Sequence, residues 1–296
     1  MALTEDAPSL MDAPQTREID PTRIKRIPTG VADLDSIVEG GFPSGSTVLL
    51  LGDVGAGMQE YVYTSASKLA LARAQPQARH YWLGDVCENS HIPERICYVT
   101  FSRSREVVLQ ELATSFNSDF FFAFRDMTIF RDFSSSYFKN TVIPSSWTRQ
   151  DSPFESKTTG ILEQLVDFLD EDGKESMIIV DSLTDLVSTG AVDMKDIIAT
   201  LKGLQRAAKS WDGIVYLMLA RGILDRKYEQ MIMDSVDGCL TFEWKNYLSS
   251  SKRQRYMYVE KFTSVLPHLS RDRIARFPTM VSYNNGLVVV YMERIA

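Results

Sequence analysis

Short runs of apolar residues alternate with amphipathic stretches along most of the chain. Runs at 46–51, 177–180 and 214–219 are apolar or nearly so. The stretch 193–210 instead places its apolar residues at helical spacing. Strands that are apolar on both faces, with amphipathic helices between them, indicate a parallel sheet covered by helices on both sides.

The same pattern predicts the remaining elements and a change near the C-terminus. We expect helices at 30–39, 58–74, 106–116, 160–169 and 193–210, and strands at 46–51, 96–101, 127–130, 177–180 and 214–219. From Gly238 onward, strands at 239–244, 256–261, 279–282 and 287–291 follow one another without helices. Asn284, Asn285 and Gly286 predict a hairpin turn between the last two. The expected fold class is therefore α/β, with a mainly parallel sheet that finishes in antiparallel strands.

Composition and charge narrow the class of protein. The chain has 296 residues, 44% of them hydrophobic, and a formal net charge of -7. We expect a flexible N-terminal tail at 1–26 and one domain at 27–296. The acidic balance argues against a nucleic-acid partner. No apolar run approaches the roughly 20 residues that cross a bilayer. We therefore expect no membrane insertion and a cytoplasmic location.

A glycine-rich loop follows the run at 46–51 and precedes the predicted helix at 58–74. It reads Gly52, Asp53, Val54, Gly55, Ala56, Gly57, Met58, Gln59. Gly52 and Gly57 have the spacing of a phosphate-binding loop, in which backbone N–H groups cradle phosphate oxygens. Met58 stands where that loop has its lysine, and Gln59 where it has the Ser or Thr that holds magnesium. On the glycine spacing alone, a tight turn between strand and helix is an equal alternative.

The segment before this loop carries a more specific signal. Thr29-Gly30, Leu34-Asp35 and the stretch 40–46 (GGFPSGS) occur in order and at regular spacing. Together with the loop they resemble the entry segment of KaiC-like proteins of archaeal type, a branch of the RecA-superfamily P-loop ATPases. The resemblance covers about residues 27–292, with a looser fit at 75–95 and 117–158. It implies ATP or ADP with Mg²⁺ as the cofactor.

The resemblance also assigns roles to residues outside the loop. Asp181, after the apolar run at 177–180, corresponds to the Walker B aspartate and is the implied magnesium residue, although an Asp after a strand is also a common cap. Lys261 matches the lysine of a Lys-x-Arg element that reaches a neighbouring subunit, and Thr263 replaces its arginine. Where the family carries a catalytic glutamate, this chain has Arg103 and Arg105, which are either phosphate ligands or a solvated helix start. No catalytic residue is identified.

Four side chains that serve phosphoryl transfer are thus altered together. We expect a pseudo-ATPase with weak or no ATP binding, which acts in regulation or signalling through protein partners or a homo-oligomeric ring. One alternative is a slow ATPase whose missing lysine is replaced by Lys261 of a neighbour or by Arg221. Another is a RecA-like accessory protein that binds DNA.

Three further groups of residues carry side chains with binding chemistry. His80, Cys87, His91 and Cys97 include metal-ligand types but match no zinc spacing. The phenylalanine-rich segment 116–138 is either core or a protein-binding surface. Lys252, Arg253 and Arg255 form a basic run, for which solvated charges at a hairpin tip are favoured over a phosphate contact.

Overall fold

The computed structural model describes residues 24–139, 141–148, 160–188, 190, 192–246, 253–268 and 276–290. The strands are β1 (Arg26–Ile27), β2 (Phe42–Pro43), β3 (Ser46–Gly52), β4 (Arg95–Thr100), β5 (Thr128–Asp132), β6 (Ser176–Asp181), β7 (Ile214–Ala220), β8 (Gly238–Asn246), β9 (Arg253–Phe262), β10 (Phe277–Ser282) and β11 (Gly286–Val289).

The helices cover both faces of the sheet. They are α1 (Ala32–Ile37), α2 (Met58–Ala74), α3 (Arg79–Leu83), α4 (Arg105–Ser115), α5 (Ser118–Met127), α6 (Ser134–Tyr137), α7 (Ser145–Thr148), α8 (Ile161–Asp172), α9 (Leu183–Ser188), α10 (Met194–Ala208) and α11 (Arg226–Asp234). Short 3₁₀ turns occur at Pro76–Ala78, Asp85–Cys87 and Leu266–His268.

Nine strands form one sheet in the order β11-β10-β9-β8-β3-β7-β6-β4-β5. The six strands from β8 to β5 are parallel, and β9, β10 and β11 continue the sheet in antiparallel fashion. The predicted α/β class is therefore confirmed, including the antiparallel C-terminal strands. β1 and β2 form a separate two-stranded ribbon, which the sequence pattern did not predict.

The core lies on both faces of the sheet because the central strands are apolar on both sides. In β3, Val48 and Leu50 face the core under α2, whereas Leu49 and Leu51 face the core under α8 and α10. This alternation follows from the two-residue period of a strand. It explains why the strand appears in the sequence as an unbroken apolar run.

Some predicted elements differ from the structure. The helix expected at 30–39 is shorter and spans Ala32–Ile37, because Gly30, Glu39 and Gly40 all adopt positive φ angles that a helix does not accept. α5 was not predicted. Its turns carry Phe120 and Phe124 inward, so these two aromatic residues belong to the core, while Phe122 is 48% exposed. Residues 1–23 of the expected tail lie outside the described residues.

Candidate functional site

The glycine-rich loop joins the carboxyl end of β3 to the first turn of α2. Gly55 and Gly57 have φ angles of 76° and 116°, a region that favours glycine. The carboxylate of Asp53 accepts a hydrogen bond from the backbone N–H of Trp244 at 3.0 Å, and the Trp244 indole donates to the Val54 carbonyl at 3.3 Å. The hydrogen bond between the Asp53 side chain and the Trp244 backbone therefore fastens the loop to β8.

Met58 and Gln59 stand where the sequence resemblance implies the phosphate lysine and the magnesium hydroxyl, and both make other contacts. Met58 is partly buried and packs against the core beneath α2. The Gln59 amide donates a hydrogen bond to the Tyr98 hydroxyl at 2.8 Å. Ala56 is buried and Val54 is 86% exposed. Neither Met58 nor Gln59 supplies a charge at the loop.

Asp181 ends β6 and lies beside Thr100 of β4 in the sheet register. Its carboxylate is 5% exposed and accepts hydrogen bonds from the Tyr98 hydroxyl at 2.7 Å and from the Arg103 guanidinium at 3.0 Å. Burial raises the pKa of Asp181, while the nearby Arg103 charge acts in the opposite direction. Burial and the adjacent Asp181 charge also raise the pKa of Tyr98, which keeps its hydroxyl protonated as a donor.

Arg103 connects Asp181 to a second carboxylate. Its guanidinium donates to the Tyr63 hydroxyl at 3.3 Å and pairs with Glu111, which also accepts from Tyr63 at 2.7 Å. Burial opposes the charged form, but Tyr63, Asp181 and Glu111 outweigh it and raise the pKa of Arg103. We call Gln59, Tyr63, Tyr98, Arg103, Glu111 and Asp181 the Arg103 network.

The donor set of this network does not fit a magnesium–triphosphate. A magnesium site needs oxygen ligands with uncompensated negative charge. Here the Asp181 carboxylate already has a guanidinium partner, and the loop contributes neither lysine nor hydroxyl. Arg103 stands where the sequence resemblance implies a catalytic glutamate, and it is a cation that cannot serve as a general base.

The other predicted cations lie apart from the Arg103 network. The Lys261 ammonium donates to the carbonyls of Met233 and Val236, both at 2.7 Å, and to Asp234 at 3.3 Å, so it caps the C-terminal end of α11. Lys261 pairs with Cys239, which is in register with Leu49, whereas Gly52 is in register with Phe242. It therefore lies away from the loop of its own chain.

Arg221 lies directly beside the base of the loop. Its backbone N–H donates to the Gly52 carbonyl at 2.8 Å. Its guanidinium lies 4.0 Å from Glu243 and 3.6 Å from Glu260. Burial acts against the charge, but Tyr258 and Glu260 raise the pKa of Arg221 overall.

The basic run is organised around Trp244. The guanidinium groups of Arg253 and Arg255 lie 4.4 and 5.0 Å from the centre of its indole ring, and Arg255 pairs with Glu60 at 3.1 Å. Arg255 thus lies beside the loop, near Gly57. Arg253 is exposed and pairs with Asn246 at the end of the described β8–β9 ladder, as expected for a charge near a hairpin tip. Lys252 lies outside the described residues.

The two histidines and two cysteines at 80–97 do not form a metal site among the described residues. Cys87 belongs to the core beneath α2, whereas Cys97 belongs to the core on the opposite face of the sheet. No cluster of three or more His, Cys, Asp or Glu side chains suited to a metal occurs among the described residues. Within the same part of the chain, no helix is long and apolar enough to cross a membrane.

The sequence pointed to three of the six members of the Arg103 network, namely Gln59, Arg103 and Asp181, but not to Tyr63, Tyr98 and Glu111. Arg103 was interpreted as a phosphate ligand or a solvated helix start, and its pairing with Asp181 was not predicted. The one available signal was a tyrosine within the apolar run at 96–101, since a buried hydroxyl needs a hydrogen-bond partner. Arg105, the second arginine considered, lies over the Phe130 ring at 5.3 Å instead.

Comparison with known proteins gives a likeness at the level of structure. No family model matches the chain, and no curated protein matches it. Many solved structures do match. One is the crystal structure of a KaiC-like protein from the hyperthermophilic archaeon Pyrococcus horikoshii OT3, with a TM-score of 0.59 and 18% sequence identity. The match covers 90% of this chain and 100% of that one. The chain therefore has a KaiC-like, RecA-type fold.

Proposed function

We propose that this protein is a RecA-fold regulatory component that has given up ATP hydrolysis and acts through contacts with protein partners or with copies of itself. The observation that carries the proposal is the pairing of Asp181 with Arg103 at 3.0 Å. An aspartate that holds magnesium cannot also be neutralised by a guanidinium without losing much of its attraction for the metal. We also propose a cytoplasmic location.

The altered loop supports the same proposal. Met58 offers no donor to a β- or γ-phosphate, and the Gln59 amide is engaged by Tyr98. The backbone N–H groups of the loop are then the remaining attraction for phosphate, together with the positive end of α2. We therefore propose that ATP and ADP bind weakly or not at all, and that magnesium does not strengthen their binding.

Fluorescence anisotropy with labelled ATP and ADP tests the proposal, in titrations with and without Mg²⁺. The wild-type protein should show no saturable, magnesium-dependent binding at micromolar concentration. Two matched variants probe the cause. Met58→Lys with Gln59→Thr replaces the missing loop side chains but leaves Asp181 paired. The same pair with Arg103→Ala also releases Asp181 and should bind Mg-ATP more tightly.

Magnesium-dependent micromolar binding by the wild-type protein, with phosphate release above a no-enzyme control, would overturn the proposal. It would favour the slow ATPase, for which Arg221 is the best-placed cation because its N–H contacts Gly52. Arg221→Met should then abolish turnover. If the rate of phosphate release per protein molecule rises with protein concentration and is lost in Lys261→Met, a neighbouring subunit supplies the charge.

DNA binding is a second candidate, favoured by one observation. Arg253 and Arg255 stack on Trp244, and stacked aromatic and basic side chains bind single-stranded nucleic acid. Against it, Arg255 is paired with Glu60 and the chain is acidic overall. Binding of a labelled oligonucleotide that weakens with salt and is lost in Trp244→Ala would support this role.

A further inference from the structure

An apolar cleft of about 380 Å³ lies between α8 and α10, on the face of the sheet opposite α2. Leucine side chains from both helices form its walls, and Val180 and Leu217 of the sheet also line it. Trp211, 7% exposed, contributes its indole to the lining. The cleft is separate from the Arg103 network, none of whose members lines it.

Two exposed residues, Gly203 and Val166, line the cleft where it meets solvent. Gly203 of α10 lines it without a side chain, and a Cβ built there would meet no atom within 4 Å. Val166 of α8 lines it and is 48% exposed. A glycine inside a helix lowers the stability of that helix by roughly 1 kcal/mol relative to alanine. Gly203 thus leaves open space at a position where alanine would give a more stable helix.

The charge of the cleft has one sign. Among the described residues that line the cleft, Asp167 and Asp170 are the charged ones, and both are exposed. Neither carboxylate forms an ion pair with any residue in the described ranges. A ligand that places apolar groups in the cleft and cations beside α8 would therefore gain both hydrophobic and electrostatic free energy.

The protein's own N-terminal segment does not meet this requirement. Residues 1–23 carry five acidic and two basic side chains, so they have the same sign as the cleft. A groove between two helices suits a third helix, which binds through residues spaced three and four apart. We propose that this cleft binds an amphipathic helix of a partner protein, with an apolar face flanked by lysine or arginine. This inference rests on the partner-binding part of the proposed function.

A fluorescein-labelled amphipathic peptide of leucine and lysine serves as the probe, and the same pattern in leucine and glutamate serves as its control. The lysine peptide should bind wild-type protein saturably and quench or shift Trp211 fluorescence, whereas the glutamate peptide should not bind. Gly203→Phe places a large apolar side chain at the edge of the cleft without changing the charge of the protein. It should weaken binding of the lysine peptide at least about tenfold.

Two further variants separate the causes. Gly203→Ala improves the helix but adds little volume, so it should bind the peptide within about twofold of wild type. Asp167→Lys with Asp170→Lys should weaken binding at least about tenfold by charge alone. Circular dichroism and thermal melting establish that each variant is folded.

Equal affinity for the lysine and glutamate peptides, or unchanged binding in Gly203→Phe, would overturn the inference. A wild-type dimer in sedimentation velocity that dissociates in Gly203→Phe would also overturn it, because a second copy would then fill the cleft. The nucleotide titrations are independent of these outcomes. If the peptide does not bind, the proposal on nucleotide binding still stands or falls by the titrations. If nucleotide binds, the inference about the cleft still stands or falls by the peptide.

Discussion

The guanidinium of Arg103 lies 3.0 Å from the carboxylate of Asp181. The two side chains come from the end of β6 and from the connection after β4, which are adjacent in the sheet. Arg103 and the Tyr98 hydroxyl thus both donate to this buried carboxylate. The RecA-type fold of this chain therefore carries an ion pair at the end of β6.

Removing the cation from this pair should destabilise the protein. Arg103→Ala leaves Asp181 buried with Tyr98 as its remaining donor, which we expect to cost about 3 kcal/mol in the free energy of unfolding. Urea denaturation measures this loss. In an Asp181→Asn background the same substitution should cost less, because no buried charge is stranded. Equal losses in both backgrounds would show that the pair is not coupled.

The buried carboxylate of Asp35 should make stability depend on pH. Burial raises the pKa of Asp35 to about 7, although N–H groups of Thr29 and Gly30 and the charge of Lys68 act in the opposite direction. The folded state therefore holds this proton more tightly than the unfolded chain does. Its contribution to stability is full below about pH 4 and is lost as the pH rises to about 7.

Denaturation at several pH values measures this effect, with a slope of at most about 1.4 kcal/mol per pH unit for one proton. Asp35→Asn should remove much of the slope between pH 4 and 7. The raised pKa of Asp181 acts in the same direction, so a smaller slope should remain. A stability that rises with pH across this range would contradict the assignment.

The fastening of the loop to β8 should depend on Asp53. Asp53→Ala leaves the Trp244 N–H without its acceptor and should cost about 1–2 kcal/mol. Hydrogen exchange at residues 53–57 should become faster than in wild type. Val54→Ala is the matched control, since this side chain is 86% exposed and should change stability by under about 0.5 kcal/mol.

The contacts of Lys261 predict a role within its own chain. Lys261→Met keeps the apolar stem but removes the three hydrogen bonds to the end of α11, and it should lower stability by about 1–2 kcal/mol. Thermal melting measures the loss. A variant with unchanged stability but altered self-association in sedimentation velocity would instead favour the role between subunits that the sequence resemblance implies.

The phenylalanine-rich segment should divide into core and surface residues. Phe124 is fully buried and contacts the rings of Tyr63, Tyr98 and Phe130 at 5.8–5.9 Å between centroids. Phe124→Ala should cost about 4 kcal/mol. Phe122 is 48% exposed and lies under Arg125, so Phe122→Ala should cost under about 0.5 kcal/mol. Similar losses for both would contradict this division.

Local pattern alone determined the class of fold and the position of the loop. The runs at 46–51, 177–180 and 214–219 predict buried parallel strands because a strand covered on both faces must be apolar throughout. Gly55 and Gly57 predict a sharp turn before α2 because glycine accepts positive φ angles at little cost. These properties depend on neighbours in the chain, so the sequence is sufficient for them.

Only the tertiary structure decided which side chains surround Asp181 and which aromatic residues of α5 are buried. Tyr98 and Asp181 are 83 residues apart, and Arg103 and Asp181 are 78 apart. Their meeting requires β4 and β6 to be neighbours in register, a relationship that no local pattern encodes. In the sequence, Arg103 is therefore open to two interpretations, a phosphate ligand or a solvated helix start. In the folded protein it is the partner of Asp181, because sheet order brings a buried anion and a half-buried cation together.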